Sequence, residues 1–176
     1  MCIRDRGIGA LYVRSGTELE PLLHGAGHES GRRGSTESVP LIVGLGKAAD
    51  LAGRRSSEDH TRLSNLRDRL LSRLQSEIPD IRVHGGDSER LPNTLCINFP
   101  KVSGHELLLR TPEVYASTRA ACHSGDESIS DTLKAMGLTT EDARGTVRLS
   151  LGWPTSTEEV DLAASMLCES WRGLAA

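Results

Sequence analysis

Thr146-Val147-Arg148-Leu149-Ser150-Leu151 alternates apolar and polar residues without a break. Side chains on a strand point to opposite faces with a period of two, so Val147, Leu149 and Leu151 share a core face. Thr146, Arg148 and Ser150 take the other face. The run predicts a half-buried strand with an arginine at its centre. That arginine has two readings. Its planar fork can clamp a carboxylate in two parallel hydrogen bonds, or it can serve as an ordinary surface ion-pair residue.

The stretches around this strand predict a small mixed fold. Leu95-Cys96-Ile97-Asn98-Phe99 repeats the alternation, with Leu95, Ile97 and Phe99 on one face and Cys96 packing as a small residue on the other. Ile81-Arg82-Val83-His84 reads as a short strand closed by Gly85-Gly86, and Val114-Tyr115-Ala116 as another. A helix is expected over residues 57–77, where Leu63, Leu66, Leu70 and Leu74 make one apolar stripe continued by Ile78, and Pro79 ends it. Ser156 and Glu159 stand at capping-box spacing, so a last helix starts there. Val160, Ala163, Ala164, Leu167, Trp171 and Leu174 line its buried face, with Cys168 beside them. Shorter helices are expected over residues 104–110 and from a Ser130 cap to Gly137, with a further helical turn at 140–143. The pattern is α/β, a small antiparallel sheet covered by helices.

Toward the N-terminus the expectations are a buried strand over residues 7–13, a polar Gly-rich loop over 14–38, and a helix opened by Pro40 and stopped at Gly53. The loop can present backbone N–H groups and hydroxyls to an anion, or be a plain surface loop. Residues 1–6 show no periodicity and read as an assembly scar, which places the native continuation of the chain further upstream.

The chain has 176 residues, 37% hydrophobic and 3% aromatic, with a formal net charge of −3 and no charge blocks. These numbers exclude a charge-driven role on nucleic acid or a membrane surface. No apolar run is long enough to span a bilayer. The cysteines Cys2, Cys96, Cys122 and Cys168 are widely spaced, without a CxxC pair. That argues against a disulfide framework or a metal site, and the expected location is a reducing cytoplasm. Cys122 stands apart in Ala116-Ser117-Thr118-Arg119-Ala120-Ala121-Cys122-His123-Ser124-Gly125, a run with little bulk to bury. A loop thiol near Arg119 and His123 fits a reactive thiolate. A buried, inert thiol is the competing reading.

Three segments in order resemble the cysteine desulfurases and selenocysteine lyases of the class V aminotransferase-like family. They are Gly7-Ile8-Gly9-Ala10-Leu11-Tyr12-Val13 with His24-Gly25-Ala26-Gly27-His28-Glu29 and Arg33-Gly34-Ser35-Thr36-Glu37-Ser38-Val39-Pro40; Leu91-Pro92-Asn93-Thr94 with Ala121-Cys122-His123-Ser124-Gly125; and Val147-Arg148-Leu149-Ser150-Leu151-Gly152 with Glu158-Glu159-Val160-Asp161. The Ala-Cys-His-Ser wording is closer to selenocysteine lyases and their bacterial relatives than to desulfurases with a Ser-Ala-Cys-Thr-Ser loop.

The resemblance implies the C-terminal part of a fold-type I transferase dependent on pyridoxal 5'-phosphate. Residues 7–54 would be the end of the large cofactor domain and residues 55–176 the small C-terminal domain, after the 1–6 leader. It implies removal of sulfur or selenium from L-cysteine or L-selenocysteine to give L-alanine. Cys122 matches the loop nucleophile, Arg148 the clamp on the substrate carboxylate, and Thr36 the threonine that reaches the cofactor phosphate of a neighbouring subunit. A homodimer and an acceptor protein for the sulfur or selenium follow from those roles. Departures accompany the match. None of Lys47, Lys101 and Lys134 stands at the family's Schiff-base lysine position, Ser35 replaces a glycine, Arg119 replaces a small residue, and Trp153 replaces an arginine. The chain alone is therefore expected to be inactive. The alternatives are a transaminase-like enzyme of the same fold without a persulfide step, and a non-catalytic interaction fragment.

Overall fold

A computed structural model describes residues 7–118 and 129–176. The chain divides into two compact units, Cys2–Ser56 and Ser57–Ala176, and the dividing point falls inside one long helix.

In the C-terminal unit, three antiparallel strands lie in the order β1 (Arg82–Val83), β2 (Thr94–Asn98) and β3 (Thr146–Ser150). The β2–β3 register pairs Thr94 with Ser150, Cys96 with Arg148 and Asn98 with Thr146. The expected alternation therefore holds across both strands. Leu95, Ile97, Val147 and Leu149 point to one face and are buried. Against that face pack α1 (Val39–Glu77), α2 (Gly104–Leu109) and α4 (Thr157–Ala175), through Leu66, Leu70, Leu74, Leu107, Val160 and Leu167. Each such side chain contributes roughly 1.5–3 kcal/mol by leaving water. Cys168 belongs to this core rather than lying beside it, and burial pushes its thiol up to about 11.

The helix ends follow local chemistry. Ser156 Oγ accepts from the Glu159 N–H at 3.2 Å, and Glu159 Oε2 accepts from the Ser156 N–H at 2.8 Å, the reciprocal pair expected of a capping box. Ser130 caps α3 (Asp131–Ala135) by accepting from the Leu133 N–H at 3.3 Å, and Gly137 follows with φ +83°. The helix stripe of α1 is tied to α4 at the surface, where Arg69 grips both oxygens of Asp161 at 2.7 Å. The guanidinium hydrogen bond holds the Asp161 carboxyl below the usual carboxylate range.

Three local expectations come out differently. Gly53 does not stop the helix; α1 runs through it. One glycine costs about 1 kcal/mol in a helix, and good helix formers surround it, with Arg54 Nε donating back to Asp50 Oδ1 at 2.8 Å. Residues 7–13 form no strand, and Leu11 and Tyr12 are exposed. A strand is completed by neighbours, and among the described residues none pairs with this run. Residues 114–116 are also irregular, and the pairing falls one residue later, as a single antiparallel bridge from Ser117 to Arg148. Residues 140–145 form hydrogen-bonded turns, with the Ala143 N–H donating to Thr139 O at 3.1 Å, the single helical turn expected there.

In the N-terminal unit the Gly-rich segment folds back on itself. His28 bridges to Arg33 around a short 3-10 turn, Glu29–Gly31, and the Gly34 N–H donates to Leu23 O at 2.7 Å. A Cβ on Gly34 would lie 2.7 Å from the His24 carbonyl, so only glycine fits this crossing.

Candidate functional site

The polar face of the sheet is where the chemistry-bearing residues of the C-terminal unit gather. Arg148 sits at the centre of β3 with its side chain exposed. Its backbone N–H donates to Ser117 O at 2.7 Å and its carbonyl accepts from the Ser117 N–H at 3.2 Å. Both groups are used away from β2, so Arg148 and Cys96 form a non-hydrogen-bonded pair, the closer of the two cross-strand arrangements. The Cys96 thiol is pushed up by burial, and the facing Arg148 charge opposes that shift. Cys96 is thus a neutral thiol at ordinary pH.

The strand end after Arg148 is held firmly. The Leu151 N–H donates to Asn93 O at 2.8 Å and the Asn93 side-chain amide donates to Leu151 O at 2.9 Å. Arg62 on α1 donates to Thr155 O at 2.9 Å and to Trp153 O at 2.7 Å. These contacts give Asn93 a positioning role inside the Leu91-Pro92-Asn93-Thr94 motif. Below Arg148, Thr146 Oγ1 donates to Asn98 Oδ1 at 3.3 Å and stands 3.0 Å from His84 Nε2. With its proton given to Asn98, the hydroxyl accepts from His84 Nε2–H, which fixes the imidazole tautomer. Burial, and then the nearby Arg82 charge, hold His84 below its ordinary value. This chain of three side chains carried no signal in the sequence, because its members come from three distant segments, the turn after β1, β2 and β3.

Of the three residues singled out from the sequence, Arg148 lies on the sheet of the C-terminal unit, Thr36 is exposed in the folded-back loop of the N-terminal unit, and Cys122 lies outside the described residues. Among the described residues, Ser117 is the last before Cys122 that pairs with the sheet. Four residues lie between the two in sequence, a reach of at most about 18 Å over five Cα steps. Ser35, beside Thr36, has φ 126°, a backbone region that favours glycine. The glycine that Ser35 replaces in the resembling family fits that geometry. The loop leaves the Thr36 side chain exposed at a point where the backbone is pinned by Gly34, an arrangement suited to donating a hydroxyl hydrogen bond to a phosphate oxygen. Lys47 is exposed on α1 and paired with Asp50 at 3.4 Å.

Comparison with known proteins matches the Aminotransferase class-V family over residues 5–162. The chain is 40% identical over 166 residues to a "Cysteine desulfurase IscS" of Clostridium botulinum, covering 92% of this chain and 42% of that protein. It is 42% identical to a "Cysteine desulfurase IscS" of Methanosarcina thermophila, covering 93% of this chain and 41% of the relative. Among solved structures it superposes on a "NIFS-LIKE PROTEIN" with TM-score 0.77 and 33% identity over 93% of this chain and 42% of that one. A NifS-like protein from Rickettsia africae gives TM-score 0.76 and 25% identity over 89% of this chain and 41% of that one. The chain spans about two-fifths of the length of these relatives. The α/β fold expected from the sequence, with its antiparallel sheet and covering helices, is the one found in these neighbours.

Proposed function

Because the chain belongs to the class V aminotransferase family, we propose that it acts as the C-terminal part of a pyridoxal 5'-phosphate-dependent cysteine desulfurase, with L-selenocysteine as a second substrate of the same frame. The observation that carries this reading is the Arg148–Ser117 bridge, which ties the carboxylate clamp to the base of the segment holding Cys122. The names of the relatives at about 40% identity support it.

In this reading the Arg148 fork binds the substrate α-carboxylate and sets the position of its sulfur or selenium. Pyridoxal phosphate, when bound, would supply the electron sink, and Thr36 would hold its phosphate across the interface of a homodimer. The Cys122 thiolate attacks the substrate sulfur. The new S–S bond forms as the carbon–sulfur bond breaks, its electron pair stays on carbon, and protonation there gives L-alanine. The persulfide on Cys122 then passes to a thiol of an acceptor protein. None of Lys47, Lys101 and Lys134 takes the family's lysine position, so the activity is proposed for the full-length arrangement and not for these 176 residues alone.

The test is Cys122→Ser in the full-length protein, with alanine and released sulfide or selenide measured. Loss of both products is expected. Unchanged release would overturn the assignment and point to a transaminase-like reaction without a persulfide.

A further inference from the structure

The side chains of β2 and β3 that surround Arg148 on the polar face are uncharged. Cys96 stands opposite it, Thr94 and Asn98 stand on either side of Cys96, and Thr146 and Ser150 flank Arg148 on its own strand. In a directly opposed pair the Cβ atoms lie about 4.5–5.5 Å apart, at the closer end where the pair is not hydrogen-bonded. Cys96 is therefore the β2 side chain nearest the Arg148 stem. The guanidinium charge also acts on the thiol, against the push of burial, which places the charged head within reach of the sulfur. The thiol is half-buried and compact, and it holds its proton. A bulkier side chain here would take the space over the sheet, and a carboxylate would take the fork.

We infer that Cys96 is a positioning residue for the carboxylate clamp: small and neutral opposite Arg148, it keeps the guanidinium open to the α-carboxylate of the substrate. This role rests on the assignment of Arg148 to that carboxylate. The strand carrying the arginine is fixed on both sides, by the Ser117 bridge and by the hydrogen bonds between Asn93 and Leu151. The chain therefore has little freedom to move aside for a different group at position 96.

The test compares Cys96→Asn with Cys96→Asp in the full-length protein, two side chains of nearly equal size that differ in charge. A carboxylate at this position competes with the substrate for the fork. A hydrogen bond to a charged group is strong enough for that competition to raise KM for L-cysteine about tenfold above that of the Asn variant. The kcat values should agree within about twofold, because saturating substrate displaces the competitor. A purely structural role would impair both variants alike. A second measurement needs neither turnover nor a change at residue 96. In the Cys122→Ser protein, alkylation of the Cys96 thiol is followed through the mass of its peptide, with and without saturating L-alanine. Labelling should slow when the carboxylate of alanine occupies the fork beside the thiol. Equal KM in the Asn and Asp variants, or labelling of Cys96 unaffected by L-alanine, would overturn the proposal. Protection of Cys96 in a protein that makes no alanine from L-cysteine would keep the clamp and discard the desulfurase reading. Alanine production with identical Asn and Asp variants would discard the role of Cys96 alone.

Discussion

Arg148 and Cys96 face each other across β2 and β3 as Cα partners, while both backbone hydrogen bonds of Arg148 go outward to Ser117. Arg148 therefore has two backbone attachments, a strand on one side and a bridge on the other, and a side chain left exposed on the polar face. The fold uses the Arg148 backbone for positioning and leaves its guanidinium available for binding.

That division predicts how Arg148→Lys behaves. The exposed side chain contributes little to the core, so the unfolding temperature should stay close to wild type. Arg148→Lys keeps the charge but loses the second parallel bond of the fork, and a hydrogen bond to a charged group is worth about 1.5–3 kcal/mol. In the full-length protein kcat/KM for L-cysteine should fall by roughly a hundredfold. A variant of equal kcat/KM would return Arg148 to its competing reading as a surface ion-pair residue. Removing the charge altogether, in Arg148→Ala, should also raise the Cys96 thiol further, because the arginine opposes the upward push of burial. Titration of Cys96 by its ultraviolet thiolate absorbance reads that change.

His84 gives stability a dependence on pH. Its folded value lies below the ordinary 6.5. Between the two values the unfolded chain holds the proton and the folded chain does not, so stability rises with pH in that window. The contribution is whole above about 6.5 and is lost as pH falls through the folded value. Urea unfolding of wild type and His84→Gln between pH 5 and 7.5 should show a steeper acid loss in the wild type. Parallel curves would mean that His84 does not titrate with folding.

Two glycines predict effects of opposite sign. A Cβ on Gly145 would overlap the Phe99 carbonyl oxygen and press on Asn98 Oδ1 at 3.0 Å. The Phe99 N–H also donates to Gly145 O at 2.9 Å, so the two chains cannot part without losing that bond. Gly145→Ala should cost roughly 3 kcal/mol. Gly53 lies inside α1, and a methyl group added there would meet nothing within 4 Å. Gly53→Ala should stabilise the helix by up to about 1 kcal/mol. Chemical denaturation of both variants checks the pair, and a destabilising Gly53→Ala would argue that the helix breaks there after all.

The sequence carried most of what is local. β3 and β2 were legible because a period of two on a half-buried sheet repeats every second residue, and α4 because Ser156 and Glu159 lie within one turn. Residues 7–13 misled because a strand is defined by its neighbours, and the apolar run carries no record of whether one is present. Gly53 misled because a stop signal is weighed against the helix formers on both sides. The burial of the Arg90 guanidinium was not legible either. In sequence Arg90 follows the polar run Asp87-Ser88-Glu89, which reads as solvated, and only packing beside α1 and β2 buries its Nη1. The Ser117–Arg148 bridge was equally hidden, since its partners are distant in sequence. Thr36 and Arg148 were found through motif wording, which local periodicity alone does not supply.

Ser35 offers the last prediction. Its φ of 126° places a residue with a Cβ where glycine is preferred, and such strain costs on the order of 1–3 kcal/mol. The neighbouring crossing at Gly34 is too tight to let the backbone relax, with 2.7 Å from a would-be Cβ to His24. Ser35→Gly removes the Cβ and keeps the path of the chain. The gain is partly offset because glycine also loosens the unfolded chain, leaving a net stabilisation of about 1 kcal/mol. Limited proteolysis of residues 24–38 should therefore slow in Ser35→Gly and quicken in Gly34→Ala. Faster cleavage of Ser35→Gly would show that the loop is not strained at this position, and that the serine there is set by its side chain rather than tolerated by the backbone.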